Sequence, residues 1–270
     1  VVDEANLKVS NSPTNGYVLT AQSGNTGGLT WAEMSAGVTS DSQGNTVAGT
    51  NAGDSFSGTS AEHNTLFGYN AGTGITTGDR NTAIGHQALN TIEDGNHNVA
   101  IGSQALYSGT SHTHNIAIGY RSQFSQTNGE LNVSIGTEAL ESAAGAGENV
   151  AIGYQAGKAT DTGDDNIFIG YQSGYSNTSS DGKIFIGHQS GYNDNFVSKA
   201  TAVGFKALRQ NTGGAECTGI GYEALRMTTT GDHNTGVGFN SLRANTTGQY
   251  NTAVGHTSLY KNTTGNNNTA

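Results

Sequence analysis

The sequence predicts an all-β parallel solenoid, and three observations carry that prediction. A glycine recurs every 17 residues without a miss, at Gly68, Gly85, Gly102, Gly119, Gly136, Gly153, Gly170, Gly187, Gly204, Gly221, Gly238 and Gly255. The residue before it is β-branched in every unit except the one holding Phe67, as at Ile84, Ile101 and Ile118, which is strand chemistry. The residue three places after it is always Ala or Ser, from Ala71 to Ser258. Twelve beats with no insertion or deletion mean a chain that builds one supersecondary unit per period and stacks it on the last.

Composition would mislead without the period. The 270 residues include 41 Gly, one Pro and only 33% apolar residues, a balance that on its own suggests disorder. Disordered tracts do not hold register, so the period decides. Charged residues make up 12% and the net charge is −10, which argues against nucleic acid or an anionic membrane as partner. The single Cys217 excludes an intrachain disulfide framework. No apolar run approaches the ~18 residues of a membrane helix, and no signal peptide is visible. The chain opens on Val1 and closes on Asn268-Thr269-Ala270, the start of another unit, so it is expected to be an excerpt of a longer protein.

Residues 1–44 read as an N-terminal connector module. Gly16–Ala21 and Leu29–Trp31 are strand-like and flank the turn-like Gly24-Asn25-Thr26-Gly27-Gly28, the pattern of a β-hairpin. Trp31, the only tryptophan, is its expected anchor. Residues 45–270 read as a solenoid of about 13 coils, the first of them 19 residues long from Asn45 to Asn64 and so a capping coil.

Take Asn81 as position 1 of a coil. Asn64, Asn81 and Asn98 begin the row at that position, which Lys183, Ala200 and Cys217 interrupt; stacked amides there predict an Asn ladder. Positions 2–4 form a short strand. The glycine at position 5 marks a corner that needs positive φ or a close backbone approach. A second short strand and a polar loop such as Asn262-Thr263-Thr264-Gly265 complete the expected coil. The small residue at position 8 predicts backbone lying against it. With about two large apolar side chains per coil, one column is under-cored, so several chains packed side by side, preferably a homotrimer, are expected to supply the missing interior.

No Ser-His-Asp arrangement, nucleotide loop or paired-Cys motif stands out, and near-copies of one coil do not make an asymmetric constellation. The protein is therefore expected not to be an enzyme and to carry no cofactor. Position 6 holds Tyr69, Tyr120, Tyr154, Tyr171 and Tyr222, a candidate receptor stripe because aromatic faces suit sugar rings; packing between subunits or against the neighbouring strand is the plainer reading. His112-Thr113-His114 places two imidazoles at i, i+2, a candidate transition-metal pair on a trimer axis, against which stands a plain turn. Asp161, Asp164 and Asp165 around Gly163 match either calcium ligands or an acidic turn. Cys217 reads as a small buried side chain.

The string Asn98-Val99-Ala100-Ile101-Gly102 and its relatives resemble the head repeat of YadA-like trimeric adhesins. That resemblance covers residues 45–270 and implies a left-handed β-roll with three chains about one axis, although the period here is longer than that family's. Asn251-Thr252-Ala253-Val254-Gly255-His256-Thr257-Ser258-Leu259, followed by Asn262-Thr263-Thr264-Gly265, is similar to runs in bacteriophage tail fibres. Asn15-Gly16-Tyr17-Val18-Leu19-Thr20-Ala21, with Gly27-Gly28-Leu29-Thr30-Trp31 after it, is similar to their connectors. The resemblance implies a virion attachment fibre whose partners are its own copies, other tail proteins and a host surface glycan or protein. Alternatives are a bacterial surface adhesin head and an ice-binding solenoid, the latter suggested by repeated Asn-Thr pairs but opposed by Val and Ile at position 2 in the middle coils.

Overall fold

The computed structural model describes residues 39–195 and 199–270, together with the strands β1 (Tyr17–Ala21) and β2 (Leu29–Glu33). β1 and β2 pair antiparallel, with Leu19 opposite Trp31. The anchoring role expected of the Trp31 side chain lies outside what is described. The chain divides into two compact units, Val1–Thr39 and Ser40–Ala270.

The second unit is an all-β parallel solenoid of about 12 coils with a 17-residue repeat. After the two-residue β3 (Thr39–Ser40), three-residue strands run from β4 (Thr46–Ala48) to β16 (Thr252–Val254). Each pairs in parallel with the next in chain order, so a single sheet holds 14 strands. Register advances by one repeat at each step, as in Val150 against Ile167 and Ile152 against Ile169. An isolated parallel bridge from Thr252 to Thr269 continues the sheet.

Only one strand forms per coil. Among the described residues the second strand expected after the corner is absent; positions 6–9 are turns in every coil, extending to position 11 in most. The reason lies in the dihedrals. Gly153 has φ +135°, Gln155 φ +54° and Gly157 φ +57°, so positive φ recurs at positions 5, 7 and 9, and a strand cannot tolerate that alternation. Leucine itself takes this conformation, at Leu89, Leu106, Leu140, Leu208, Leu225, Leu242 and Leu259, at a cost of roughly 1–2 kcal/mol per residue. Backbone hydrogen bonds to the stacked coils hold it there. Leu140 N–H donates to Ala156 O at 3.0 Å, and Glu138 N–H donates to Tyr120 O at 2.9 Å.

The interior is filled within one chain. Positions 3, 8, 9 and 12 point inward, and the large buried side chains are Leu66, Leu89, Leu106, Leu140, Phe168, Phe185, Leu208, Leu225 and Leu242, with Ile75 and Ile92 at position 12. Volume is exchanged between positions 3 and 9. Where position 9 is leucine, position 3 is Ala, Ser or Gly, as with Ala202 and Leu208; where position 3 is Leu or Phe, position 9 is glycine, as with Phe168 and Gly174. Most coils thus bury one large apolar side chain, fewer than the two expected.

Much of the rest of the core is amide, beside buried serines, threonines, His112, Lys183 and Asp194. Asn81 N–H donates to Asn64 Oδ1 at 2.9 Å, while Asn81 Nδ2 donates to Gly95 O at 2.8 Å. The same bonds recur at Asn98, Asn132 and Asn149. A second ladder at position 16 runs the other way along the chain: Asp79 N–H donates to Asn96 Oδ1 at 2.7 Å, and Gly147 N–H to Asp164 Oδ1 at 2.7 Å. The position-1 asparagine amides are partnered, which is what makes so polar a row tolerable, whereas the buried Gln123 Oε1 and Gln126 Oε1 have no hydrogen-bond partner.

Candidate functional site

Strand side chains alternate, so burying position 3 turns positions 2 and 4 outward. Ala100, Ala117 and Ala151 are fully buried, whereas Ile84, Ile135 and Ile220 on position 4 are exposed by 37–40%. Val99, Ile101, Ile116, Ile118, Val150, Ile152, Ile167 and Ile169 line the same outward face and are half-buried. From Thr82 to Val254 the face is a ladder of β-branched side chains, with threonine at position 2 near each end (Thr82; Thr201, Thr218, Thr235, Thr252), and Ala48 and Phe67 break it in the first coils. A contiguous apolar face of this kind is a signature of contact surfaces.

Beside it, beyond the glycine corner, runs the position-6 stripe. Tyr154, Tyr171, His188, Phe205, Tyr222, Phe239 and His256 stack as one continuous column with centroids 4.9–5.4 Å apart. Tyr69 stacks on His86 at 5.5 Å, while Tyr120 stands alone between Ser103 and Thr137. Tyr69, Tyr120, Tyr154, Tyr171 and Tyr222 are all exposed. Within the column the rings lie 5–24° from parallel, so their faces are covered by one another. Solvent meets edges and hydroxyls. A sugar ring stacked on an open aromatic face has room only at a break in the column, as at Tyr120.

Next to the stripe lies an ion-pair network that the sequence reading missed. Arg121 bonds Glu141 at 2.9 Å, and Lys158 bonds both Glu138 and Glu141, at 2.5 and 2.9 Å. These are positions 7 and 10 of three successive coils. Their signal was available as opposite charges 17 or 20 residues apart, but the turn that faces them toward each other was not. Lys158 holds its proton more tightly than an ordinary lysine: its hydrogen bonds and charge pairing with Glu138 and Glu141 outweigh burial, which is the largest single influence and acts the other way. A similar clamp joins Glu223 to Arg226 and Arg243.

The two histidines offered as a metal pair do not converge. His112 is fully buried at position 15, where most coils carry glycine, and its ring fills the space over Gly109. Its Nε2 lies 2.8 Å from Ser108 O and 3.0 Å from Gln126 O, and two carbonyl neighbours require that nitrogen to carry the hydrogen. His114, at position 17, stacks on His97 at 4.8 Å. Among the described residues no group of three or more His, Cys, Asp or Glu is placed to hold a metal ion. Asp164 and Asp165 line an acidic concavity of about 380 Å³ with Glu130 and Glu148, but Asp164 Oδ1 is already engaged by Gly147 N–H. Cys217 is fully buried, its Sγ 3.2 Å from Gly231 O; burial pushes its thiol up to about 11, so it is protonated and inert.

His112 gives the fold a pH dependence. Burial, opposed by the two carbonyl bonds, holds its pKa below the ordinary 6.5. The folded pKa is depressed, so protons favour the unfolded chain; the stability is complete above the unfolded value and is lost as pH falls toward the folded one. The melting temperature followed by circular dichroism is expected to fall from about pH 7 to pH 5, and the fall to shrink in His112→Gln. An equal fall in both proteins would place the effect elsewhere.

No family model, curated protein or solved structure matches this chain.

Proposed function

We propose that this chain is a rigid segment of a homotrimeric virion attachment fibre, of the bacteriophage tail-fibre kind, that spaces and presents host-contacting parts. The observation that supports it most is the outward β-branched ladder: an apolar sheet face, repeated on coil after coil, that one chain leaves without cover. Three copies packed on that face would bury it and leave the charged turns in solvent. Parallel coils ~4.8 Å apart give twelve coils a length on the order of 60 Å, and cross-coil hydrogen bonding at nearly every residue makes a stiff spacer. Three chains also multiply any weak receptor contact. The phage assignment rests on the resemblance of the repeat and connector strings; a bacterial trimeric adhesin head is the alternative built on the same face.

Light scattering on the purified chain tests the assembly. A mass of three times 27.6 kDa that resists heating is the expected result, and Ile135→Lys with Ile220→Lys is expected to give a folded monomer. A wild-type monomer would end the trimer reading. A trimer that survives both lysines would move the interface off this face. The outward threonines of the terminal coils keep an ice-binding role measurable: thermal hysteresis from a monomeric protein would favour it.

A further inference from the structure

Position 1 is asparagine in most coils, and its amide bonds the carbonyl at position 15 of its own coil. Lys183 takes that place once, and its side chain goes somewhere else. Its Nζ lies 2.6 Å from Asp194 Oδ1 and donates to Asn177 Oδ1 at 2.9 Å. Lys183, Asn177 and Asp194 are all fully buried. Asn177 and Asp194 are the position-12 residues of adjacent coils, so the lysine is inserted between an amide on one and an acid on the next. Asp194 Oδ2 accepts from Asn211 Nδ2 at 2.6 Å, and the Phe185 ring lies 5.8 Å from Nζ.

An amine, a carboxamide and a carboxyl group buried together in the core are the components of an amide exchange. We propose that Lys183 and Asn177 join in an intramolecular isopeptide bond, with Asp194 as the proton carrier. The reaction balances within the three side chains. Lys183 Nζ gives one proton to Asp194, becoming a neutral amine. It adds to Cγ of Asn177, forming the new C–N bond. Its second proton passes through the carboxyl group to Nδ2, the Cγ–Nδ2 bond breaks, and nitrogen leaves as ammonia or, with Asp194's proton, as ammonium. No oxidant or co-reactant is needed.

Three physical features favour the step. Burial disfavours both charges, so the pair shifts toward its neutral form: Lys183 is held below the ordinary lysine value and Asp194 above the ordinary carboxyl value, desolvation being the largest cause in each. A desolvated neutral lysine is a competent nucleophile. Cγ lies one carbonyl bond of ~1.2 Å beyond the contacted oxygen, within a side-chain rotation of the ~3–3.5 Å approach of a near-attack geometry. The electrophile is Asn177 and not Asp194, because among the contacting groups only Asp194 is an acid able to protonate a leaving group. Bond formation also removes the buried charge of Lys183, whose desolvation is only partly offset by Asp194 and Asn177.

Mass spectrometry of the folded and then denatured 270-residue chain is the test. The bond is expected to lower the intact mass by about 17 Da, one ammonia. Cleavage before aspartate is expected to leave residues 165–180 joined to residues 181–193. That linkage also separates the bond from succinimide formation at Asn128-Gly129, which loses ammonia without joining peptides. Asp194→Asn keeps both reacting groups and is expected to retain the full mass; if that variant does not fold, the wild-type peptide map decides alone. Unjoined peptides with Lys183 open to trypsin would overturn the proposal. A loss of about 18 Da with Lys183 joined to Asp194 would overturn the assignment of Asn177.

Discussion

Gly153→Ala is expected to destabilise the solenoid by about 3 kcal/mol or more. An alanine Cβ there would stand 2.5 Å from Gly170 O and 2.7 Å from its carbonyl carbon, and the opposing atoms are backbone already bonded into the next coil. At φ +135° the substitution is strained even in open space. Gly255 separates the two causes: its φ is +126°, but an added Cβ meets nothing within 4 Å in this chain. Gly255→Ala is therefore expected to cost only backbone strain, about 1–3 kcal/mol. Urea midpoints of the two variants measure the difference. Equal shifts would show that conformation alone, and not the close stacking of coil on coil, demands glycine at position 5.

The second large effect is a compensating pair. Phe168→Ala is expected to cost about 3–5 kcal/mol, because a fully buried ring would leave a cavity. Gly174→Leu alone is expected to be comparably damaging, since its Cβ would collide with the Phe168 ring. Together the two changes recreate the Ala-and-Leu arrangement of Ala202 and Leu208. Gly174 already has φ +59°, close to that of the native leucines at position 9. The double variant is expected to be more stable than either single one, with a coupling of about 2–3 kcal/mol in a thermodynamic cycle. Additive losses would mean that positions 3 and 9 do not share one volume.

Both predictions rest on a distinction between what a repeat reveals and what it hides. The period is legible because a solenoid makes the same contact once per coil, so selection on that contact recurs at fixed spacing. Gly85 and its equivalents, the small row at position 8 and the Asn row at position 1 were readable for that reason. A one-residue strand core was not. Ile84, Ile101 and Ile118 look like core residues in sequence, yet Ala83, Ala100 and Ala117 occupy the interior beside them. Alternation over three residues is too short to say which phase points inward.

The candidate site divides along the same line. The position-6 tyrosines were visible as a row, and their exposure and stacking follow from a common corner geometry. That their faces are covered by one another depends on ring rotamers and on the coil-to-coil distance, neither of which composition carries. His112 and His114, adjacent but for one residue, were separated because one faces the core and the other the turn. Lys183, Asn177 and Asp194 show no pattern in sequence; a break in the Asn row marked the lysine, but only the packing of adjacent coils brought the amide and the acid to it.

The sequence by itself determined the parallel solenoid, its 17-residue period, the glycine corner and the asparagine ladder, because each is a local requirement repeated until it cannot be missed. The tertiary structure decided the alternating positive φ of positions 5, 7 and 9, the inward phase of the strands and the meeting of Lys183 with its partners. Leucine, glutamine and glutamate have no intrinsic preference for left-handed backbone. They adopt it here because hydrogen bonds to the coils on either side outweigh the local strain, and such bonds exist only once the coils are stacked.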